Sequence, residues 1–162
     1  MKNTLPHVPR ITAPVKERDG VTIVDIDNYA PFLLNAIGNA WQRKTSAIYR
    51  REFDLGIGEW RIMSMLNIEP NITANRVCDV IKMDKAAVSR SLKLLLALGL
   101  VEFDAPSAHS RKRSWRLSPQ GLEMHAQILS RALQAEAELV EGLTPEELET
   151  CLRVLRKMLS RF

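Results

Sequence analysis

The sequence predicts a mainly α-helical chain with a small β-wing: a winged helix-turn-helix with a helical dimerisation region. Three observations carry this. Two short helical periods stand in tandem between Thr73 and Gly99, two β-prone runs enclose a basic segment between Leu100 and Leu117, and long apolar stripes flank this middle on both sides.

The first short helix is expected to start at Thr73, whose hydroxyl can satisfy exposed amides, to bury Val77, Val80 and Ile81, and to end near Lys82. Asp84 is the expected cap of the second, in which Val88, Leu92 and Leu95 recur at i, i+4 and i+7 and belong to the core, with no recognition role. Gly99 stops that helix. Its other face carries Lys85, Ala86, Ala87, Ser89, Arg90 and Lys93, with no carboxylate after the cap. Small side chains let a helix sink toward base edges, while cations neutralise phosphate, so this face fits the major groove of double-stranded DNA. Leu100–Phe103 and Ser114–Leu117 have the alternation of strands, and the wing between them holds Arg111, Lys112 and Arg113. From Ile72 to Ser118 there are nine Lys/Arg against four Asp/Glu, a net +5 in a chain whose total is +4. All the excess positive charge therefore lies in the candidate reading head, the electrostatic footprint expected of a DNA binder.

Pro31–Arg51 reads as a helix with Leu33, Ile37, Trp41 and Ile48 on one face. Ser118-Pro119 opens a long helix that carries Leu122, Ile128, Leu129, Leu133 and Leu139 and reaches about Val140; Gly142 breaks it. Thr144-Pro145-Glu146-Glu147 caps a last helix with Leu148, Leu152, Leu155 and Leu159 at i, i+4, i+7 and i+11. Helices of this length cannot bury such stripes alone, so the first and last helices are expected to interlock across a two-fold axis, and a homodimer matches a palindromic operator.

These motifs together resemble the MarR family of bacterial transcriptional regulators. The resemblance rests on the long helix Phe32–Arg51 followed by Phe53-Asp-Leu-Gly-Ile-Gly-Glu-Trp-Arg-Ile62, on Asp84–Arg90 as a recognition helix, and on Leu117-Ser118-Pro119-Gln120-Gly121. It covers roughly residues 29–160. It implies one winged-helix domain over 29–162, with a DNA-binding part at about 59–118 and dimerisation helices at about 29–51 and 119–160. It also implies a repressor released by a small anionic or aromatic acid or by an acyl-CoA thioester. In one departure, His109 stands where the family usually places an acid two positions before the wing-tip Arg111, so the ion pair that would fix that arginine is absent. For the effector, the expected ligand-binding residues are Trp41, Tyr49 and Trp60, stacking on a ring, with Arg43 and Lys44 holding a carboxylate or phosphate.

A chain of 162 residues with 46% hydrophobic content is long enough for one domain with a real core and excludes a mainly disordered protein. Residues 1–28 read as an arm or partly extended lead-in. The longest uncharged stretch, Tyr29–Gln42, contains Asn and Gln and is too short to span a bilayer, so a cytoplasmic protein without a membrane partner is expected.

No catalytic residues, metal ligands or cofactor are expected. No phosphate-cradling glycine loop is present, Gly56-Ile-Gly58 reads as a turn between helices, and His7, His109 and His125 have no chelating spacing. Cys78 is expected to be a buried inert thiol in the first short helix, and Cys151 lies in the last helix. Two alternatives remain open at this stage: a winged-helix dimerisation or protein-interaction module without DNA binding, and a thiol-based sensor regulator.

Overall fold

A computed structural model of the chain describes residues 10–105 and 113–162. The chain forms two compact units, residues 1–44 and 45–162, which divide inside a continuous helix. The described part of the first unit opens with a hairpin of β1 (Val15–Arg18) and β2 (Val21–Val24), paired antiparallel with Val15 opposite Val24 and Arg18 opposite Val21. Asp19 and Gly20 turn the corner with φ of 53° and 76°, and two successive positive φ values give the strand twist of a type I′ turn. Weak periodicity over 1–28 suggests only a lead-in, yet Asp19-Gly20 is a two-residue hairpin signal between Val- and Ile-containing runs. Helix α1 (Ala30–Phe53) follows, two residues longer at its C-terminal end than expected.

In the second unit the C-terminal part of α1 leads into α2 (Ile57–Ile68), α3 (Ala74–Ile81), α4 (Lys85–Ala97), strands β3 (Val101–Asp104) and β4 (Ser114–Leu117), α5 (Pro119–Leu139) and α6 (Pro145–Leu159). Gly58 is therefore inside α2, and only Gly56 serves the turn. The expected caps are in place. Thr73 Oγ1 accepts from Arg76 N at 3.3 Å, Asp84 Oδ1 from Ala87 N at 2.8 Å, and Ser118 Oγ from Gly121 N at 3.0 Å. Thr144 and Glu147 cap one another reciprocally, at 3.2 and 2.9 Å.

The core gathers Ile62, Met63 and Leu66 of α2, Val77 of α3, Val88, Leu92 and Leu95 of α4, Leu100, Val101, Trp115 and Leu117 of the wing, and Ile128 of α5, all nearly inaccessible. Val80 is the exception to the expectation, at 42% exposed. The buried arc of α3 runs through Ala74, Val77, Cys78 and Ile81. At ~100° per residue Val80 falls about 60° outside that arc, roughly a sixth of a turn. Trp115 exchanges two backbone hydrogen bonds with Ile72, at 2.8 and 3.2 Å, which fastens the wing to the segment before α3.

The wing, α4 and α5 meet at one close approach. Ser118 N donates to the Leu100 carbonyl at 3.1 Å, Ser118 Oγ donates to the Gly99 carbonyl at 2.6 Å, and a Cβ on Gly121 would lie 1.9 Å from Leu100 O. Only glycine lets the first turn of α5 come this near to the end of α4. Gly121→Ala must push that backbone apart. It is expected to cost about 2–4 kcal/mol, lowering the thermal midpoint by about 4–15 °C; a melt unchanged from the parent would show that the contact is not tight.

Candidate nucleic-acid interface

Helix α4 has two faces with different duties. Val88, Ser91, Leu92 and Leu95 are buried, whereas Lys85, Ala86, Ser89, Arg90 and Lys93 are exposed and Ala87 is half-buried. The Asp84 cap fixes the end of the helix from which Lys85, Ala86 and Ala87 project. Among the described residues, Lys85, Arg90 and Lys93 have no acidic partner within ion-pair distance, so the outward cations of α4 are not neutralised by the protein around them.

Other cations of the same stretch are spoken for. Arg76 grips Glu69 through Nε and Nη2, at 3.2 and 2.9 Å. Arg116 donates from Nε to Glu102 at 2.8 Å, from Nη1 to Asp104, and to Asn71 Oδ1 at 3.4 Å. Among the described residues, Arg116 is thus spent on the two carboxylates of the wing strands, whereas Lys85, Arg90 and Lys93 on α4 have no carboxylate partner. Arg113, at the base of the wing, lies 4.2 Å from the centroid of Phe103, whose ring is 5.0 Å from that of Trp115. A guanidinium attracted to an aromatic face still has donors to offer a phosphate. The expected wing residues Arg111 and Lys112, with His109, lie outside the described residues.

The helix is held from behind by Glu59 of α2. Its Oε2 accepts from Gly56 N at 2.9 Å at the start of α2, and its Oε1 accepts from Ser91 Oγ on α4 at 2.5 Å. Sequence reading does not single out Glu59 or Ser91. The Gly56-x-x-Glu59 spacing is the available signal for the first bond, but a pairing across 32 residues has no local trace.

Of the expected effector residues, Tyr49 and Trp60 come together, with ring centroids 6.1 Å apart, and the Trp60 ring stacks on His125 of α5 at 4.9 Å and 26°. Tyr49 is 1% exposed and a full member of the core, and burial raises its hydroxyl pKa. Trp41, Arg43 and Lys44 belong to the first compact unit. Beside this cluster Arg131 of α5 chelates Glu52 of α1, at 2.7 and 3.0 Å, and its hydrogen bond is the main reason that the Glu52 carboxyl titrates below its ordinary value. Cys78 is half-buried and Cys151 exposed, both as free thiols. Among the described residues no group of three or more His, Cys, Asp or Glu could hold a metal ion. No helix among them is long and apolar enough to cross a membrane.

His125 is 7% exposed, with Nδ1 3.5 Å from Asn67 Nδ2, and burial lowers its pKa from the ordinary 6.5. Between that lowered value and 6.5 the unfolded chain carries more of the proton than the folded one. Stability therefore rises with pH across this interval, is complete above 6.5, and falls as the pH drops through it. Denaturant titrations between about pH 5 and 8 should show a shallower dependence in His125→Phe, which keeps a stacking ring but cannot ionise. An identical slope in both proteins would remove His125 from the pH response.

Comparison with known proteins agrees with this geometry. The sequence profile of the MarR family matches residues 53–113, the span from the end of α1 to the base of the wing. A MarR/EmrR family transcriptional regulator from Acinetobacter sp. ADP1 is 28% identical, covers 85% of this chain and 97% of its own, and superposes with a TM-score of 0.78. A MarR family regulator from Silicibacter pomeroyi DSS is 27% identical over 83% of this chain and 89% of its own, at 0.74. A mutant MarR of E. coli, crystallised in complex with operator DNA, is 21% identical over 82% and 95%, at 0.71, and shares the fold. No curated protein sequence matches the chain. The cap-defined α3 and α4 and the two-stranded wing make a winged helix-turn-helix like those of these structures, and residues 53–113 within it carry the match to the MarR family of transcriptional regulators.

Proposed function

We propose that this protein is a homodimeric, ligand-responsive regulator that binds a pseudo-palindromic operator in double-stranded DNA and acts as a repressor. The observation that carries the reading is the outward face of α4, where Lys85, Arg90 and Lys93 have no acidic partner among the described residues and stand with Ala86, Ala87 and Ser89 on a helix anchored by its opposite side. The E. coli relative crystallised on operator DNA supports the same use of the shared fold. In this reading α4 enters the major groove, and Arg113 with Arg111 and Lys112 follows the adjacent backbone.

The dimer is supported by apolar surface that one protomer leaves uncovered. No residue of α6 is buried, and Leu155, Met158 and Leu159 are exposed, as are Leu122, Leu129 and Leu133 of α5 and Phe32, Leu33 and Ile37 of α1. Stripes of this length on three helices exceed the scattered apolar exposure of a soluble monomer. A second copy would cover like with like and set two reading heads on successive half-sites.

The effector reading is an aromatic carboxylate or its CoA thioester, with Tyr49 and Trp60 of the second unit, and Trp41, Arg43 and Lys44 of the first, as the residues proposed to take part. It is supported by the aromatic grouping of Tyr49, Trp60 and His125 and by the cations of α1. Such a ligand acts by favouring a spacing of the heads that DNA does not accept. The coupling is reciprocal, so a ligand that weakens operator binding tenfold is itself bound tenfold less tightly by the DNA-bound protein, about 1.4 kcal/mol.

Two heads displacing counterions from roughly three to five phosphates each should give a slope of log K against log salt of about −5 to −9. The same preparation should sediment as a dimer. Arg90→Ala should weaken operator and random duplex together and reduce the slope, and a salt slope near zero for the parent would end the DNA-binding reading. For the effector, a panel of aromatic carboxylates and their CoA thioesters should quench tryptophan emission and release operator. Arg43→Ala should blunt that release while changing operator affinity less than about threefold, roughly 0.7 kcal/mol. An Arg43→Ala protein that responds as the parent does would move the ligand elsewhere.

A further inference from the structure

We infer that Glu59 and Ser91 form a positioning pair that fixes the rotation of α4, and that discrimination between DNA sequences depends on this pair although neither residue faces the DNA. This rests on the DNA-binding reading above and adds to it what aims the helix.

The inward face of α4 makes two kinds of contact. Val88, Leu92 and Leu95 pack against apolar neighbours, a non-directional attraction that tolerates a small turn or slide of the helix. The bond from Ser91 Oγ to Glu59 Oε1 is directional and short, 2.5 Å, with an ionisable acceptor, and it sits where Ser91 is 8% exposed. Ser91 is flanked in sequence by Arg90 and lies two residues from Ser89 and Lys93, so its rotation sets theirs. The carboxylate is in turn immobilised: its other oxygen accepts from Gly56 N, so Glu59 is tied both to the start of α2 and to the middle of α4.

Base-edge contacts need donor and acceptor aligned within a few tenths of an ångström, whereas a cation near a phosphate tolerates a small displacement because its attraction is electrostatic and broad. Loss of the Ser91 hydroxyl should therefore spoil sequence reading and spare general attraction to DNA. Ser91→Ala removes only the bond across to α2 and leaves the Gly56 bond of Glu59 in place.

The test compares two probes: a duplex selected by the parent from a randomised pool, and the unselected pool itself. For Ser91→Ala the ratio of the two affinities is expected to fall about tenfold, with pool affinity within about twofold of the parent and an unchanged salt slope. Ser91→Thr, which restores a hydroxyl, should recover most of the ratio; a merely structural role would move both affinities together. Glu59→Ala, which removes both bonds, provides a second reading should Ser91→Ala melt early. If both variants keep the parent's ratio, or lose selected and pool binding equally, the pair does not aim the helix. A parent that binds neither probe would overturn the DNA-binding reading itself, and this assignment with it.

Discussion

The carbonyl oxygen of Leu100 occupies the place where a side chain on residue 121 would begin, and much of the second unit is organised around that coincidence. Four chain segments are joined within a few residues of it: the end of α4 through Gly99, the start of β3 through Leu100, the end of β4 through Ser118 and the first turn of α5 through Gly121. The Ser118 side chain both accepts from a helix amide and donates to a loop carbonyl, so the cap of α5 also satisfies the last residues beyond α4. A helix that continues away from the reading head is thereby rigidly coupled to the helix expected to enter the groove. In a regulator, displacement of α5 in one protomer relative to another would be transmitted through this joint rather than absorbed by it.

Local chemistry explains why much of the fold is legible in the sequence. Thr73, Asp84, Ser118 and Thr144 each act on an amide three residues away, and a cap of that kind is written in consecutive letters. The Val88, Leu92 and Leu95 stripe is likewise local. What escapes notice falls into two kinds. Asp19-Gly20 is legible, since two residues that tolerate positive φ between β-prone runs specify a hairpin, but it is hidden in a segment whose overall periodicity is weak. Val80 and the Glu59–Ser91 bond depend on where neighbouring helices lie, which no window along the chain contains.

Charge is the clearest case of a quantity that sequence counts but cannot place. The stretch from Ile72 to Ser118 has a net +5, and nothing in the letters tells which cations are free. Antiparallel pairing sets Arg116 opposite Glu102, with Asp104 two residues further along the neighbouring strand, so one wing cation spends its donors inside the wing. Arg76 does the same with Glu69 across the turn before α3. Among the described residues, the cations left without a carboxylate include Lys85, Arg90 and Lys93 on the outward side of α4, where small residues leave the backbone approachable.

The division of α4 into a held side and a free side also bears on how such a protein can change. Val88, Ser91, Leu92 and Leu95 keep the helix in place, and Ala86, Ser89, Arg90 and Lys93 share its backbone without belonging to the core. Substitutions in the second set should change stability little, because none of them belongs to the core. A lineage can therefore explore new target sequences letter by letter without repeatedly putting its fold at risk, and a designer can exchange the outward set as a cassette while the inward set stays as the template.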